Sequence, residues 1–254
     1  MKLNVFTVVS LTFWLLLSAS TVSAEEAKIA VTENFLATMQ ELKQKFEKSS
    51  THKLLITTDS TAKLYNQIKK EQAFDLFLAD DTDHPKLLEN DGYTIPDSRI
   101  VYAIGKLTLW SRKSYLVDSQ GRVLTTSKFN KLAMVSPKAG TYGIATQQIL
   151  QKLNLWEKLG PKLVKSVTLS KTYEIIDHGD ADLGFISLSQ ITKTADKRST
   201  GSLWVVPPHF YERLEQTAVL LKRGQDNEAA KEFIAFLQRS IARSIIENFG
   251  YDTP

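Results

Sequence analysis

Short β-branched or apolar runs alternate with longer amphipathic ones along most of the chain. Residues 28–31 read as a strand, and 34–48 place Phe35, Leu36, Met39, Leu42 and Phe46 at helical spacing. A strand over 54–58 precedes a helix over 62–70. A strand over 76–79 then precedes a short helix running from 84 or 85 to 90. This βαβαβα order predicts a parallel sheet with helices on both faces. Gly92, Pro96 and Asp97 mark a pause, and 102–110 reads as one long extended strand. A second alternation follows, with strands at 132–135, 166–169 and 183–186 and helices at 141–153 and 170–177. A run at 203–206 stops at Pro207-Pro208. Residues 216–222 are strand-like, and helices at 227–239 and 240–249 end the chain. Two α/β units joined by extended segments predict two lobes around a cleft. The chain crosses back near Gln216, so 25–105 with 216–254 form one lobe and 106–215 the other.

The first 24 residues have the plan of a secretion signal. Lys2 is the positive end, 5–17 form the apolar core, and Val22-Ser23-Ala24 is a small-residue cleavage site. A membrane span needs about 20 apolar residues, so removal is expected rather than anchoring. The mature chain then begins at Glu25 and has about 230 residues.

Cysteine is absent, which excludes disulfides, a thiol nucleophile, thiolate metal sites and a lipid-modified cysteine at the cleavage site. Free diffusion in a Gram-negative periplasm fits this pattern. Without Lys2 the chain carries 31 basic and 28 acidic residues, a net +3. The lysines at 43, 45, 48, 69 and 70 lie at helical spacing among apolar positions, as on a solvated helix face rather than a nucleic-acid surface.

In open α/β sheets ligands bind beyond the carboxyl ends of the strands. Here those positions are Glu33-Asn34, Asp59-Ser60-Thr61, Asp80-Asp81, Thr141-Tyr142, Leu169-Ser170 and Ser187. Glu33 or Asn34 is expected at the N-cap of the first helix, where free N–H groups and the positive dipole end suit an oxyanion. His52, His84, His178 and His209 are scattered without metal-ligand spacing, and Trp110, Trp156 and Trp204 fit core positions. Trp14 lies in the leader. Gly140-Thr141-Tyr142-Gly143 matches neither phosphate-loop signature. There is no GxSxG elbow and no zinc motif, so binding without chemistry is expected, with no cofactor.

Six stretches carry a family resemblance: AVTENF (30–35), TTDSTAKLYNQI (57–68), FDLFLADDTDHP (74–85), YAIGKLTLW (102–110), AGTYGIATQQIL (139–150) and ADLGFISLSQ (181–190). In order and spacing the chain resembles the periplasmic molybdate-binding proteins of ABC importers. The resemblance implies an α/β, two-lobed type II periplasmic-binding-protein fold, with a mostly parallel sheet flanked by helices in each lobe. It also implies a monomer that closes on molybdate or tungstate and delivers it to an ABC permease in the inner membrane. The family holds its oxyanion with neutral donors, and these positions fall here on Asn34, on Ser60 or Thr61, on Tyr142, and near Leu169-Ser170. Some members use a tyrosine where this chain has Ser187, a contact that Tyr142 could replace.

Three positions depart from the family. Glu33, Asp59 and Asp80 stand where neutral residues are usual, all expected on one rim. A carboxylate within about 4–6 Å of a dianion opposes binding by several kcal/mol even at an effective dielectric near 20. Two readings follow. Either these side chains cap helices, or the pocket is re-tuned towards a cation, a cationic ligand or a metal complex, with His84 or His178 adding nitrogen. Asp81 fits the family pattern, as a cap for the helix before Pro85.

Overall fold

The computed structural model describes residues 24–192 and 201–254. The leader expected over 1–24 therefore lies outside the described residues, apart from Ala24.

Two five-stranded mixed sheets organise the chain. The first contains β1 (Glu26–Thr32), β2 (Lys53–Asp59), β3 (Leu76–Ala79), β4 (Ile100–Gly105) and β10 (Leu214–Leu220), in the order β2-β1-β3-β10-β4. β1 is parallel to β2 and β3, and β10 runs antiparallel between β3 and β4. The second contains β5 (Leu107–Ser111), β6 (Leu132–Val135), β7 (Leu163–Ser166), β8 (Leu183–Ser187) and β9 (Ser202–Val205), in the order β7-β6-β8-β5-β9. β6 is parallel to β7 and β8, while β5 is antiparallel to β8 and β9.

Successive strand residues point to opposite faces, so both faces of each central strand need an apolar cover. In β1, Ile29 and Val31 pack on one face with Met39, Leu42 and Phe46 of α1 (Leu36–Ser49). Phe233 and Phe236 of α7 (Glu228–Phe236) and Ile246 of α8 (Ser240–Asn248) join that core. Ala30 faces the other way, towards Leu64 and Ile68 of α2 (Thr61–Lys69) and Leu88 of α3 (Asp83–Asn90). In β5, Leu107 and Leu109 meet Ile149 and Leu150 of α4 (Thr141–Lys152), and Trp110 meets Ile176 of α6 (Leu169–Asp177) on the reverse face. A one-turn helix, α5 (Trp156–Leu159), lies between α4 and β7.

Two expectations shift. The run 102–110 is not one strand: it divides at Lys106 into β4 of the first sheet and β5 of the second. The Tyr142 hydroxyl occupies the space where a Cβ on Gly105 would stand, so glycine there lets the tyrosine pack against the crossing. The strand expected at 166–169 instead ends at Ser166, and the helix begins at Leu169. Hydroxyl bonding explains the shift. Ser166 Oγ reaches the Thr168 carbonyl at 3.0 Å, and the Thr168 hydroxyl accepts the Lys171 N–H at 3.1 Å as an N-cap.

Candidate functional site

A cleft of about 300 Å³ opens where the carboxyl ends of β1, β2 and β3 face those of β6 and β7. From the first sheet, Glu33, Asn34, Ser60, Thr61, Asp80, Asp81 and His84 line it. From the second come Lys138 to Tyr142 and Val167 to Ser170. The Thr141 hydroxyl donates to the Asp80 carbonyl at 3.4 Å and so joins the two walls.

Helix starts supply the donors. α2 opens at Thr61 behind an extended Ser60 whose side chain does not cap it, and α4 opens at Thr141 behind Gly140 with no side-chain cap. The first bonds at these starts are Leu64 N–H to the Ser60 carbonyl and Gly143 N–H to the Gly140 carbonyl, so the N–H groups ahead of them have no partner of that kind. α6 adds a third start, capped by Thr168. Three positive dipole ends thus converge on one space.

The turn after β1 differs from expectation. Neither Glu33 nor Asn34 is an N-cap. Both lie in a single 3₁₀ turn, Glu33–Phe35, preceded by Thr32. That turn is fixed from below, because buried Phe35 packs edge-on to Tyr102 and Tyr251 at 4.7 and 5.3 Å. Asn34 is left with its amide oxygen and nitrogen both buried and both without a hydrogen-bond partner. Such a group is costly unless something fills it, and the cleft is where it lies.

Thr61 and Ser60, read as alternatives, take different parts. The Thr61 hydroxyl donates to Asp80 Oδ1 at 2.5 Å and accepts the Asp80 N–H at 3.2 Å. Its one proton is committed, while the Ser60 hydroxyl has no partner among the described residues and remains free to donate. Tyr142 lines the cleft, but its hydroxyl points behind it, 3.4 Å from Ser187 Oγ and 3.3 Å from Gln216 Nε2. Burial pushes this phenol, with Tyr102 and Tyr251, well above the ordinary tyrosine range, so all three stay protonated. Ser187 is fully buried outside the cleft lining and forms the capping box of the next turn, Leu188–Gln190. Leu169 and Ser170 line the cleft at the start of α6.

The acidic rim does not assemble as three carboxylates. Asp59 lies outside the lining, since Lys63 one helical turn on holds it at 3.1 Å and the Ser60 N–H donates to it at 2.7 Å. Glu33 and Asp80 do line the cleft, and the Glu33 carboxylate makes no hydrogen bond or ion pair among the described residues. Burial, and then the charge of Asp81, push the Asp80 carboxyl up to about 6. Asp81 accepts the His84 backbone N–H at 3.0 Å, as a cap does. Its other oxygen is 2.6 Å from His84 Nδ1, a contact that raises the imidazole above its ordinary value. His178 lies elsewhere, near Asp182. No group of three or more His, Asp or Glu poised for a metal occurs among the described residues. Sequence reasoning missed Lys138, an exposed cation in the lining, and Thr168, whose N-cap role was legible from a threonine directly ahead of an apolar helical pattern.

Two α/β lobes, joined by the β4–β5 and β9–β10 crossings and enclosing a cleft of helix N-termini, define a solute-binding protein. Residues 27–252 match the family model described as bacterial extracellular solute-binding protein, and the chain belongs to that family. It is 40% identical over 235 residues to the molybdate-binding protein ModA of Azotobacter vinelandii, covering 92% of this chain and 93% of that one. It is 36% identical over 231 residues to ModA of Rhodobacter capsulatus, covering 91% and 90%. The solved structure of the A. vinelandii periplasmic molybdate-binding protein superposes with a TM-score of 0.83 at 35% identity, over 90% of this chain and 99% of that one.

Proposed function

We propose that this protein captures molybdate, or tungstate of like shape and charge, in the periplasm and delivers it to an ABC permease. The observation that carries the reading is the Asn34 amide, buried and unpaired at the cleft. An oxyanion supplies the acceptors that Asn34 Nδ2, Ser60 Oγ and the opening N–H groups of α2, α4 and α6 lack. Fixed neutral donors in a partly desolvated cleft hold a dianion well because they need no reorganisation. The names of the relatives at 40% and 36% identity support the same ligand.

In this reading residues 25–105 with 216–254 form one lobe and 106–215 the other, and closure about the two crossings completes the donor shell. The protein works as a monomer after loss of the leader over 1–24, and it binds without turnover. Calorimetric titration with molybdate, tungstate, sulfate and a panel of divalent metals tests the proposal. Saturable binding of molybdate and tungstate at one site is expected. Binding of a divalent metal with silence towards every oxyanion would overturn it.

A further inference from the structure

Asp80 shares with Glu33 and Asp81 the wall of a cleft into which three helix starts and Asn34 present donors. Its Oδ1 accepts the Thr61 hydroxyl, while its Oδ2 has no hydrogen-bond partner among the described residues. No lysine or arginine among the described residues forms an ion pair with it. The charged groups nearby are Asp81 and His84, already committed to each other at 2.6 Å. Glu33 and Lys138 share the cleft, Asp83 opens α3, and Tyr102, Tyr142 and Tyr251 stand behind as neutral phenols.

We propose that Asp80 couples oxyanion capture to the uptake of one proton, so that the bound state has a carboxylic acid at Asp80 donating a hydrogen bond to the anion. The inference rests on the oxyanion reading above. An ionised carboxylate would repel a dianion in this space, whereas a protonated one adds a donor to the ring already formed by Asn34, Ser60 and the helix starts. Thr61 occupies Oδ1 and so leaves Oδ2 as the atom that takes the proton. Burial, and then the charge of Asp81, already hold the ligand-free carboxyl near 6, and the two negative charges of the ligand act in the same direction. The proton comes from solvent, and no bond in the ligand breaks. Below about pH 5 it is already in place; above about pH 7 each capture event must bring it in. Asp80 thereby selects anions that accept a strong hydrogen bond, and it ties their retention to pH.

The test is calorimetric titration of the full-chain protein with sodium molybdate between about pH 6 and about pH 8.5, in paired buffers of different ionisation enthalpy, beside an Asp80→Asn variant. Asparagine keeps the contact to Thr61 and carries a donor that does not titrate. Expected for the parent are uptake of about one proton per site near pH 8 and affinity falling about tenfold per pH unit above about pH 6.5. The variant should show level affinity and no proton uptake. Buffer-independent heats with level affinity in the parent overturn the inference while leaving the oxyanion reading intact. Proton uptake that persists in the Asn variant also overturns it, because the proton then lies elsewhere. Absence of any molybdate binding by both proteins near pH 6 overturns the oxyanion reading itself and the inference with it.

Discussion

The Tyr251 hydroxyl donates to the backbone carbonyl of Asn34 at 2.9 Å, joining residues 217 positions apart. The contact belongs to a clamp made by the last residues of the chain. Asp252 exchanges both backbone hydrogen bonds with Ile104, at 2.7 and 2.9 Å, and its carboxylate lies 2.6 Å from Lys106 Nζ. The C-terminal tail therefore holds both the turn that presents Asn34 and the β4–β5 crossing about which the lobes move in the proposed closure.

Tyr251→Phe keeps the ring against Phe35 and removes the hydroxyl, which donates to the Asn34 carbonyl and also meets Ser189 and Gln216. A buried carbonyl left unpaired costs about 1–2 kcal/mol. In a chain of this size that lowers the melting temperature by roughly 3–6 °C. Molybdate affinity should fall a few-fold, because Asn34 loses its fixed backbone. Thermal melts and calorimetry of the same preparation check both. A lower melting point with unchanged affinity would show that the tail stabilises the fold without positioning the site.

Asn34→Ala separates binding from stability. In the empty cleft both amide atoms are buried and unpaired, so removing them should leave the ligand-free protein as stable as before, or more stable by up to about 1 kcal/mol. Ligand affinity should drop about 10- to 100-fold, the value of one hydrogen bond to a charged partner. Melting curves with and without molybdate read both effects. Equal losses in the two states would mean that Asn34 is a folding residue.

The parallel αβ units were legible because a strand covered on both faces is apolar throughout and its helix is apolar on one side only. That logic places Glu33-Asn34, Ser60-Thr61, Asp80, Tyr142 and Leu169-Ser170 at strand ends, and all line one cleft. Side-chain direction was harder to read. Asp59 could have been recognised as occupied, since Lys63 stands four positions on in a helix. The Thr61–Asp80 pair, 19 residues apart, and the Tyr142 hydroxyl among Ser187 and Gln216 depend on contacts between elements that no local pattern records. The break at Lys106 is marked in the sequence only by the Gly105-Lys106 pair within an otherwise mostly apolar run, and the tyrosine that packs against Gly105 is distant in sequence.

Glu33 and Lys138 face the same space with opposite charge and should act with opposite sign. Glu33→Gln removes a repulsion and should tighten molybdate binding several-fold; Lys138→Gln should weaken it by a similar factor. Lys138 is exposed and Glu33 half-buried at the cleft, and both act at a distance, so their effects should shrink as salt rises from about 0.01 M to 1 M. Stopped-flow association rates at the two salt concentrations are the direct readout. Salt-independent changes would place either side chain in direct contact with the ligand.

Asp80 also predicts a pH dependence of stability in the absence of ligand. Its folded-state pKa of about 6 lies above the ordinary aspartate value of 3.8, so the native state holds the proton more tightly than the unfolded chain. Below about pH 4 both states are protonated and the residue contributes no difference. As pH rises from there to about 6, the unfolded chain loses its proton first and stability declines. Above about pH 7 the full penalty is present, and the shift sets it at about 1–3 kcal/mol. Asp80→Asn cannot ionise and escapes that penalty, while its side chain can still meet the Thr61 hydroxyl. Parent and variant should therefore melt together near pH 4 and diverge with rising pH, the variant melting several degrees higher at about pH 7.5. A difference in melting temperature that is the same at both pH values would assign the effect to packing, and the ionisation of Asp80 would have no part in it.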